Sequence, residues 1–355
     1  MALFTNRYHQ EQTLFRDENS LNYEFLPKTL PFRESQQQYL ADCLKPLMSH
    51  RAGRNVVIHG PPGIGKTAAS RSVLRELEDT TDEIKQVYIN CWQHNTSFRI
   101  LVQICDAFGY RLVHNKKTDE LMDIIEHNLN KKPWVLVFDE IDKAEDLDFL
   151  YFILDKPFHK SVILITNYAD WLPELDERIR SRLMAEVLEF KAYEEREIST
   201  ILRQRLPFAF QDNVWDDDAF ALVVRAAAAH GDIRTGLYLL REAGNIAEEK
   251  FGQRVLLAHA DAAVVKLEKF TIKKTTSLAE EEQTILGIAR ENPETRIGDL
   301  FRTYQERGGQ TSYKTFQRKI NHLAENRFIG VEKVVGGTAG TTTIIKPANK
   351  KLTEF

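Results

Sequence analysis

The sequence predicts an α/β chain in three parts: a parallel sheet with helices on both faces, a small helical domain, and a C-terminal winged helix. Three observations carry this reading. Between Asn55 and Glu189 short apolar runs alternate with helical patterns, the rhythm of a parallel sheet wrapped by helices. From Tyr193 to Lys269 the strand signal stops and apolar residues recur at helical spacing. From Gln283 onward three short helical stretches precede two β-rich runs, which is the order of a winged helix. The expected division is a base at residues 1–191, a lid at 192–270, a linker at 271–282 and a winged-helix domain at 283–355.

The elements follow in order. Strands are expected at residues 56–59, 86–90, 134–138, 162–166 and 186–190, where short apolar runs recur between helical patterns. Residues 97–108 carry Phe98, Leu101, Ile104 and Cys105 on one helical face, and Gly109 follows as a C-terminal cap. In the helical domain Ile198, Ile201 and Leu202 open the pattern, which continues at residues 220–229 and 237–247. Residues 269–277 (KFTIKKTTS) are polar and basic with no apolar period, and read as a linker. Helices are then expected at 283–291, 296–306 and 312–326, and strands at 328–335 and 342–346 around a glycine-rich tip at 336–341.

Composition narrows the function classes. A chain of 355 residues with 43% hydrophobic and 28% charged residues, 17 Gly and 11 Pro is a packed protein of two or three domains, neither disordered nor fibrous. Lys plus Arg number 48 against 52 Asp plus Glu, so the net charge of -4 provides no global attraction to nucleic acid. Cys43, Cys91 and Cys105 form no C-x-x-C pair and no zinc spacing, which suits a reducing interior. Nowhere do roughly 18 apolar residues run together as a membrane span requires. A soluble, unexported protein with no membrane contact is expected.

The strongest motif is Gly60-Pro61-Pro62-Gly63-Ile64-Gly65-Lys66-Thr67, which follows the first strand and opens a helical stretch from Ala68. Backbone N–H groups of such a loop cradle phosphate at a helix N-terminus, Lys66 reaches the β and γ phosphates, and the Thr67 hydroxyl holds Mg2+. The strand Val135-Leu136-Val137-Phe138 then ends in Asp139 and Glu140. Asp139 is expected in the magnesium shell, and Glu140 as the base that orients and deprotonates the attacking water. ATP and ADP are the implied ligands.

Three further elements fit the same chemistry. Asn167 stands at the end of a strand from which it can reach the γ phosphate or the water. Leu175-Asp176-Glu177-Arg178-Ile179-Arg180-Ser181-Arg182 places three arginines before the next strand, where a finger toward a neighbouring subunit would sit; Arg182 is preferred, with Arg178 next. Gly231-Asp232-Ile233-Arg234 begins a helix from which Arg234 can fold onto bound phosphate.

With these motifs the chain resembles the AAA+ ATPases of the archaeal replication-initiator family, related to the eukaryotic origin recognition complex and cell-division-control protein six. More specific matches are Leu30-Pro31-Phe32-Arg33-Glu34, Ile89-Asn90-Cys91, Asp139-Glu140-Ile141-Asp142 and His230-Gly231-Asp232-Ile233-Arg234. The resemblance implies a slow, switch-like ATPase that binds double-stranded origin DNA, self-associates there and helps recruit the replicative helicase, in the cytoplasm at the nucleoid. The chain departs from that pattern twice. The segment at 109–118 (GYRLVHNKKT), where the family carries a DNA-binding insertion, is short with three basic residues, and the wing tip at 336–341 lacks an arginine.

From Thr295 onward 11 Lys plus Arg stand against 5 Asp plus Glu, a local basic excess in an acidic chain. At roughly 100° per residue, Phe316, Ile320 and Leu323 share one face of the third helix and point into the core. Lys314, Arg318 and Asn321 lie opposite, flanked by Gln317 and His322, and are the candidates for DNA contact. Lys319 falls near the core edge. Two other classes share the ATPase motifs: a hexameric helicase or remodelling motor, for which Phe108-Gly109-Tyr110 would be a pore loop, and a signalling ATPase switch whose winged helix is an internal lock.

Overall fold

Residues 134–139 (WVLVFD) are apolar without alternation until the terminal aspartate, a pattern that fits a strand covered on both sides, and every one of them is buried. The computed structural model describes residues 13–113, 116–156, 159–276, 280–325, 328–336 and 340–347. It forms two units, one of Phe15–Asp212 with Gly231–Tyr238, the other of residues 13–14 and Asn213–His230 with the described residues from Leu239 onward.

In the first unit the order is α1 (Glu34–Leu44), β1 (Val56–His59), α2 (Lys66–Thr80), β2 (Lys85–Asn90), α3 (Ser97–Ala107), α4 (Thr118–Leu129) and β3 (Trp134–Asp139). It continues through α5 (Asp148–Asp155), β4 (Lys160–Ile165), α6 (Glu177–Leu183), β5 (Glu186–Glu189) and α7 (Glu195–Ala209). The strands form one parallel sheet in the order β2-β3-β4-β1-β5. Alternate residues serve opposite cores. Val57, Val87, Ile89, Leu136, Phe138, Val162 and Leu164 pack with residues of α3 to α6, and Val56, Ile58, Val135, Val137, Ile163 and Ile165 pack with residues of α1 and α2.

Register decides where function can lie. Asn90 pairs with Asp139, and Asp139 with Ile165, so β2, β3 and β4 end level with one another. The loops after β1, β3 and β4 therefore meet at the carboxyl edge, where open parallel sheets bind ligands. Trp134 sits beside Phe108, whose ring meets it edge-on at 4.5 Å, and Gly109 closes α3 with φ of 77° and an N–H to Asp106 O. Phe108-Gly109-Tyr110 is thus a helix end packed on the core, not a projecting pore loop.

The second unit contains α8 (Asp217–His230), most of α9 (Ile233–Glu249), α10 (Leu257–Thr276), α11 (Glu280–Glu291), β6 (Thr295–Arg296), α12 (Ile297–Glu306), α13 (Tyr313–Glu325), β7 (Ile329–Gly336) and β8 (Gly340–Pro347). The expected linker is helical wherever it is described, at 271–276 and 280–282. No Gly or Pro interrupts the chain between Gly252 and Gly287, and a polar helix needs no apolar period to form. β6 is a two-residue strand that pairs with β8 and makes the small sheet β6-β8-β7; two residues are too few to show alternation in sequence. Residues 337–339 of the expected wing tip lie outside the described residues.

Ile285, Ile288, Leu300, Tyr304, Phe316, Ile320, Leu323 and Ile345 fill the winged-helix core. Phe316 is its aromatic centre, 5.1 Å from the Phe301 ring and 5.2 Å from that of Tyr304. Phe316→Ala is expected to destabilise this region by about 3–5 kcal/mol through the cavity left behind. In a calorimetric scan the winged-helix transition should move down while that of the nucleotide-binding unit stays in place.

Candidate nucleotide site and recognition helix

The loop after β1 is shaped by contacts that exclude larger side chains. A Cβ on Gly60 would lie 2.1 Å from Phe190 O, and one on Gly63, at φ of 77°, would lie 1.9 Å from Asp232 Oδ1. Gly65, also at positive φ, precedes the first residue of α2, so the loop delivers its N–H groups to a helix N-terminus. Pro61, Pro62 and Ile64 complete it, with Ile64 buried in the core and Ala68 in the first turn of α2.

Lys66 is 6% exposed. Its Nζ donates to Gly60 O at 2.6 Å, Pro61 O at 2.7 Å and Asn167 Oδ1 at 2.9 Å, all neutral acceptors. Burial pulls its pKa down to about 8, with the nearby Asp139 charge opposing. A buried ammonium without a direct carboxylate partner among the described residues suits an anionic ligand, and phosphate oxygens fit it. Asn167 thus stands at the site, although its amide oxygen faces the lysine.

Asp139 is the second hub. Its Oδ2 accepts from Thr67 Oγ1 at 2.7 Å and from the Tyr88 hydroxyl, and its Oδ1 accepts from the Glu140 N–H at 2.9 Å. Burial, then the Asp139 charge, pushes the Tyr88 phenol upward, so it remains a donor. Glu140 takes the left-handed conformation at φ of 54°, and burial followed by the charges of Asp139 and Asp142 raises its carboxyl pKa. Thr67 and Asp139 bring hard oxygens together, the type of ligand that magnesium favours. No group of three or more His, Cys, Asp or Glu residues suited to a metal exists among the described residues. A cation here would thus take its remaining ligands from phosphate and water.

The helical segment from Gly231 rests on the loop. Ile233 N lies 3.4 Å from Gly63 O, and Asp232 Oδ1 accepts from the Arg234 N–H at 2.8 Å. Arg234 is exposed, and its charge is among those acting on Lys66 and Glu140. The α6 arginines have local contacts: Arg178 with Asp176, Arg180 with Pro173 O at 3.1 Å, and Arg182 with Asp155 Oδ1 at 3.0 Å and over the Tyr151 ring.

Two residues of this region carry no role that the sequence motifs assign. Arg33 is 4% exposed; it donates to Ile64 O at 3.1 Å and Lys191 O at 2.8 Å and stacks 3.8 Å over the Tyr193 ring. It ties the phosphate loop to the chain after β5. Its only sequence signal is its place in the Leu30–Glu34 match. Tyr88 has one signal, a hydroxyl between the buried Val87 and Ile89.

On α13, Lys314, Gln317, Arg318, Asn321 and His322 are exposed, while Phe316, Ile320 and Leu323 are fully buried. Lys319, only 18% exposed in its side chain, pairs with Glu281, and His322 Nδ1 lies 2.9 Å from Glu282 Oε1. His322 is therefore tied to α11, on the flank of the cationic face.

The sequence model of the AAA domain matches residues 50–179, and that of the Cdc6 AAA+ ATPase-type lid domain matches residues 199–264. The ORC1-type DNA replication protein 1 of Sulfurisphaera tokodaii is 30% identical over 330 residues, covering 87% of this chain and 83% of that protein. The Aeropyrum pernix ORC1 protein, solved in complex with DNA, is 26% identical with a TM-score of 0.70 over 95% of this chain and 94% of its own. The Aeropyrum pernix ORC2 protein has the same fold, with a TM-score of 0.71 at 21% identity over 95% and 94% of the two chains.

The lysine gives the site a pH signature. In the free protein Lys66 keeps its proton only below about pH 8, whereas a phosphate beside it favours the ammonium and holds the proton to higher pH. ADP affinity should be flat below about pH 8 and fall by up to about tenfold per pH unit above it. Lys66→Arg, charged throughout, should show no such fall. Calorimetric titrations from about pH 7 to 9.5 check this.

Proposed function

Because the chain belongs to the ORC1-type DNA replication proteins, a family of AAA+ ATPases, we propose that it is an ATP-dependent replication initiator. In this reading it binds origin duplex DNA through its winged helix at residues 283–355 and uses ATP binding and hydrolysis as a switch for recruiting the replicative helicase. The observation that carries the ATPase half is the meeting of Lys66, Thr67, Asp139 and Asn167 at the carboxyl edge of the sheet, with Glu140 next in the chain. The DNA half is supported by the exposed basic face of α13.

The chemistry assigns each side chain one task. Lys66 leaves its three neutral acceptors for the phosphate oxygens, and the N–H groups of residues 63–66, beyond the two prolines, line the rest of the loop. Thr67 and Asp139 would hold magnesium, which when bound would neutralise phosphate charge. Glu140 takes a proton from water as the water oxygen bonds to the γ phosphorus; the bond to the bridging oxygen breaks, leaving ADP and phosphate. Asn167, no longer occupied by the lysine, is free to orient that water. Arg234 closes on the phosphates from the lid at residues 192–270, and Arg182, with Arg178 as the alternative, reaches the site of a neighbouring copy assembled on DNA.

No described helix is long and apolar enough to cross a membrane. Work at the nucleoid in the cytoplasm fits the proposed DNA partner.

Glu140→Gln keeps the backbone donor to Asp139 but cannot take a proton. It should bind ATP as the parent does and lose about 10²–10⁴-fold in hydrolysis rate. Parent-like turnover in a phosphate-release assay would remove Glu140 from the base role.

The cations of α13 should not be equivalent. Removing a side chain that neutralises one phosphate lowers the slope of log affinity against log salt by about 0.9 on duplex DNA. Lys314→Ala and Arg318→Ala should each flatten the slope, whereas Lys319→Ala, whose ammonium is held by Glu281, should not. Fluorescence anisotropy at several salt concentrations distinguishes them, and three equal slopes would exclude α13 as the groove-facing helix.

A further inference from the structure

Tyr88 belongs to none of the motifs that mark the nucleotide site, yet its hydroxyl ends on the same carboxylate oxygen as that of Thr67. Register explains the reach. Tyr88 stands opposite Val137 and Asn90 opposite Asp139, so Tyr88, Val137 and Asp139 share one face of the sheet. A long side chain on one strand spans the diagonal to the residue two positions further along its neighbour. A phenylalanine would keep the ring in the core that holds Val135 and Val137; what the hydroxyl adds is polar, its bond to Asp139 and its contact with Thr67.

Helix α2 holds the tyrosine in two places. Thr67 meets Asp139 Oδ2 beside the phenol, and Arg71, one helical turn beyond Thr67, places its guanidinium 4.6 Å over the Tyr88 ring. The Glu140 N–H fixes the other carboxylate oxygen at 2.9 Å. Asp139 thus has a protein donor on each oxygen, and its rotation about the side-chain bond is set by β2, α2 and its own chain.

We propose that Tyr88 is a positioning residue for the magnesium site: its hydroxyl orients Asp139 so that this carboxylate and Thr67 face a divalent cation together. The proposal rests on the reading of Thr67 and Asp139 as the magnesium ligands. A donor behind a ligating carboxylate fixes its orientation, and loss of such a partner typically costs 10–100-fold in metal affinity.

The test uses the full chain with ADP and Mn2+ as the paramagnetic probe. Tyr88→Phe keeps the ring and its contact with Arg71 and removes only the donor. The Mn2+ concentration for half-saturation, read by electron paramagnetic resonance, should rise about 10–100-fold, while ADP affinity in EDTA stays at the parent value. Asp139→Asn serves as the reference. If Asp139→Asn weakens Mn2+ binding and Tyr88→Phe does not, the positioning role is overturned and the metal-site reading stands. If neither weakens it, the metal-site reading fails and the proposal with it. If Tyr88→Phe loses ADP affinity in EDTA by the same factor as in Mn2+, Tyr88 is merely structural and the proposal is overturned.

Discussion

A single buried ammonium sets the terms for the nucleotide-binding unit. Lys66 sits at 6% exposure among two backbone carbonyls and an amide oxygen, none of which carries the opposite charge. Burying a cation this way is unfavourable on its own, and the displaced pKa expresses that cost. The loop geometry exists to hold the charge there: Gly60 lets the backbone pass under Phe190, and Gly63 accepts the close approach of Asp232. The site is strained electrostatically until an anion arrives, so phosphate binding relieves a cost already present in the free protein.

Around that charge the structure builds rigidity from distant parts of the chain. Arg33 fastens the phosphate loop to Lys191, which lies 158 residues beyond Arg33 in sequence. Asp139 gathers donors from Thr67, Tyr88 and Glu140. A carboxylate with both oxygens engaged has few rotational alternatives, which preorganises it before any ligand binds. The two successive acids Asp139 and Glu140 thus differ through their surroundings: Asp139 is fixed by hydrogen bonds, whereas burial and neighbouring acids raise the Glu140 carboxyl pKa.

The winged-helix region follows a different logic, in which the core fixes the rotation of α13 and the remaining residues take what is left. With Phe316, Ile320 and Leu323 buried, Lys314 and Arg318 must face outward. Glu281 and Glu282 of α11 then capture Lys319 and His322, the two basic residues nearest the core edge. The charge offered by this helix is therefore narrower than its composition suggests.

What the sequence determined was whatever depends on neighbours a few residues apart: the five strands to within two residues, the phosphate loop and its helix, and the inward face of α13. Those signals are periodicities and local motifs, written in contiguous residues. Composition also suggested a break where α10 continues to Thr276, because polarity was taken for irregularity although no Gly or Pro stops the helix. The tertiary structure alone decided that Tyr88 meets Asp139, that Arg33 holds Ile64 and Lys191, and that Asn167 reaches Lys66 across 101 residues. Each of these contacts depends on strand order and register, which arise when the whole sheet closes, and no local pattern records which residues 50 or 150 positions away will share an edge.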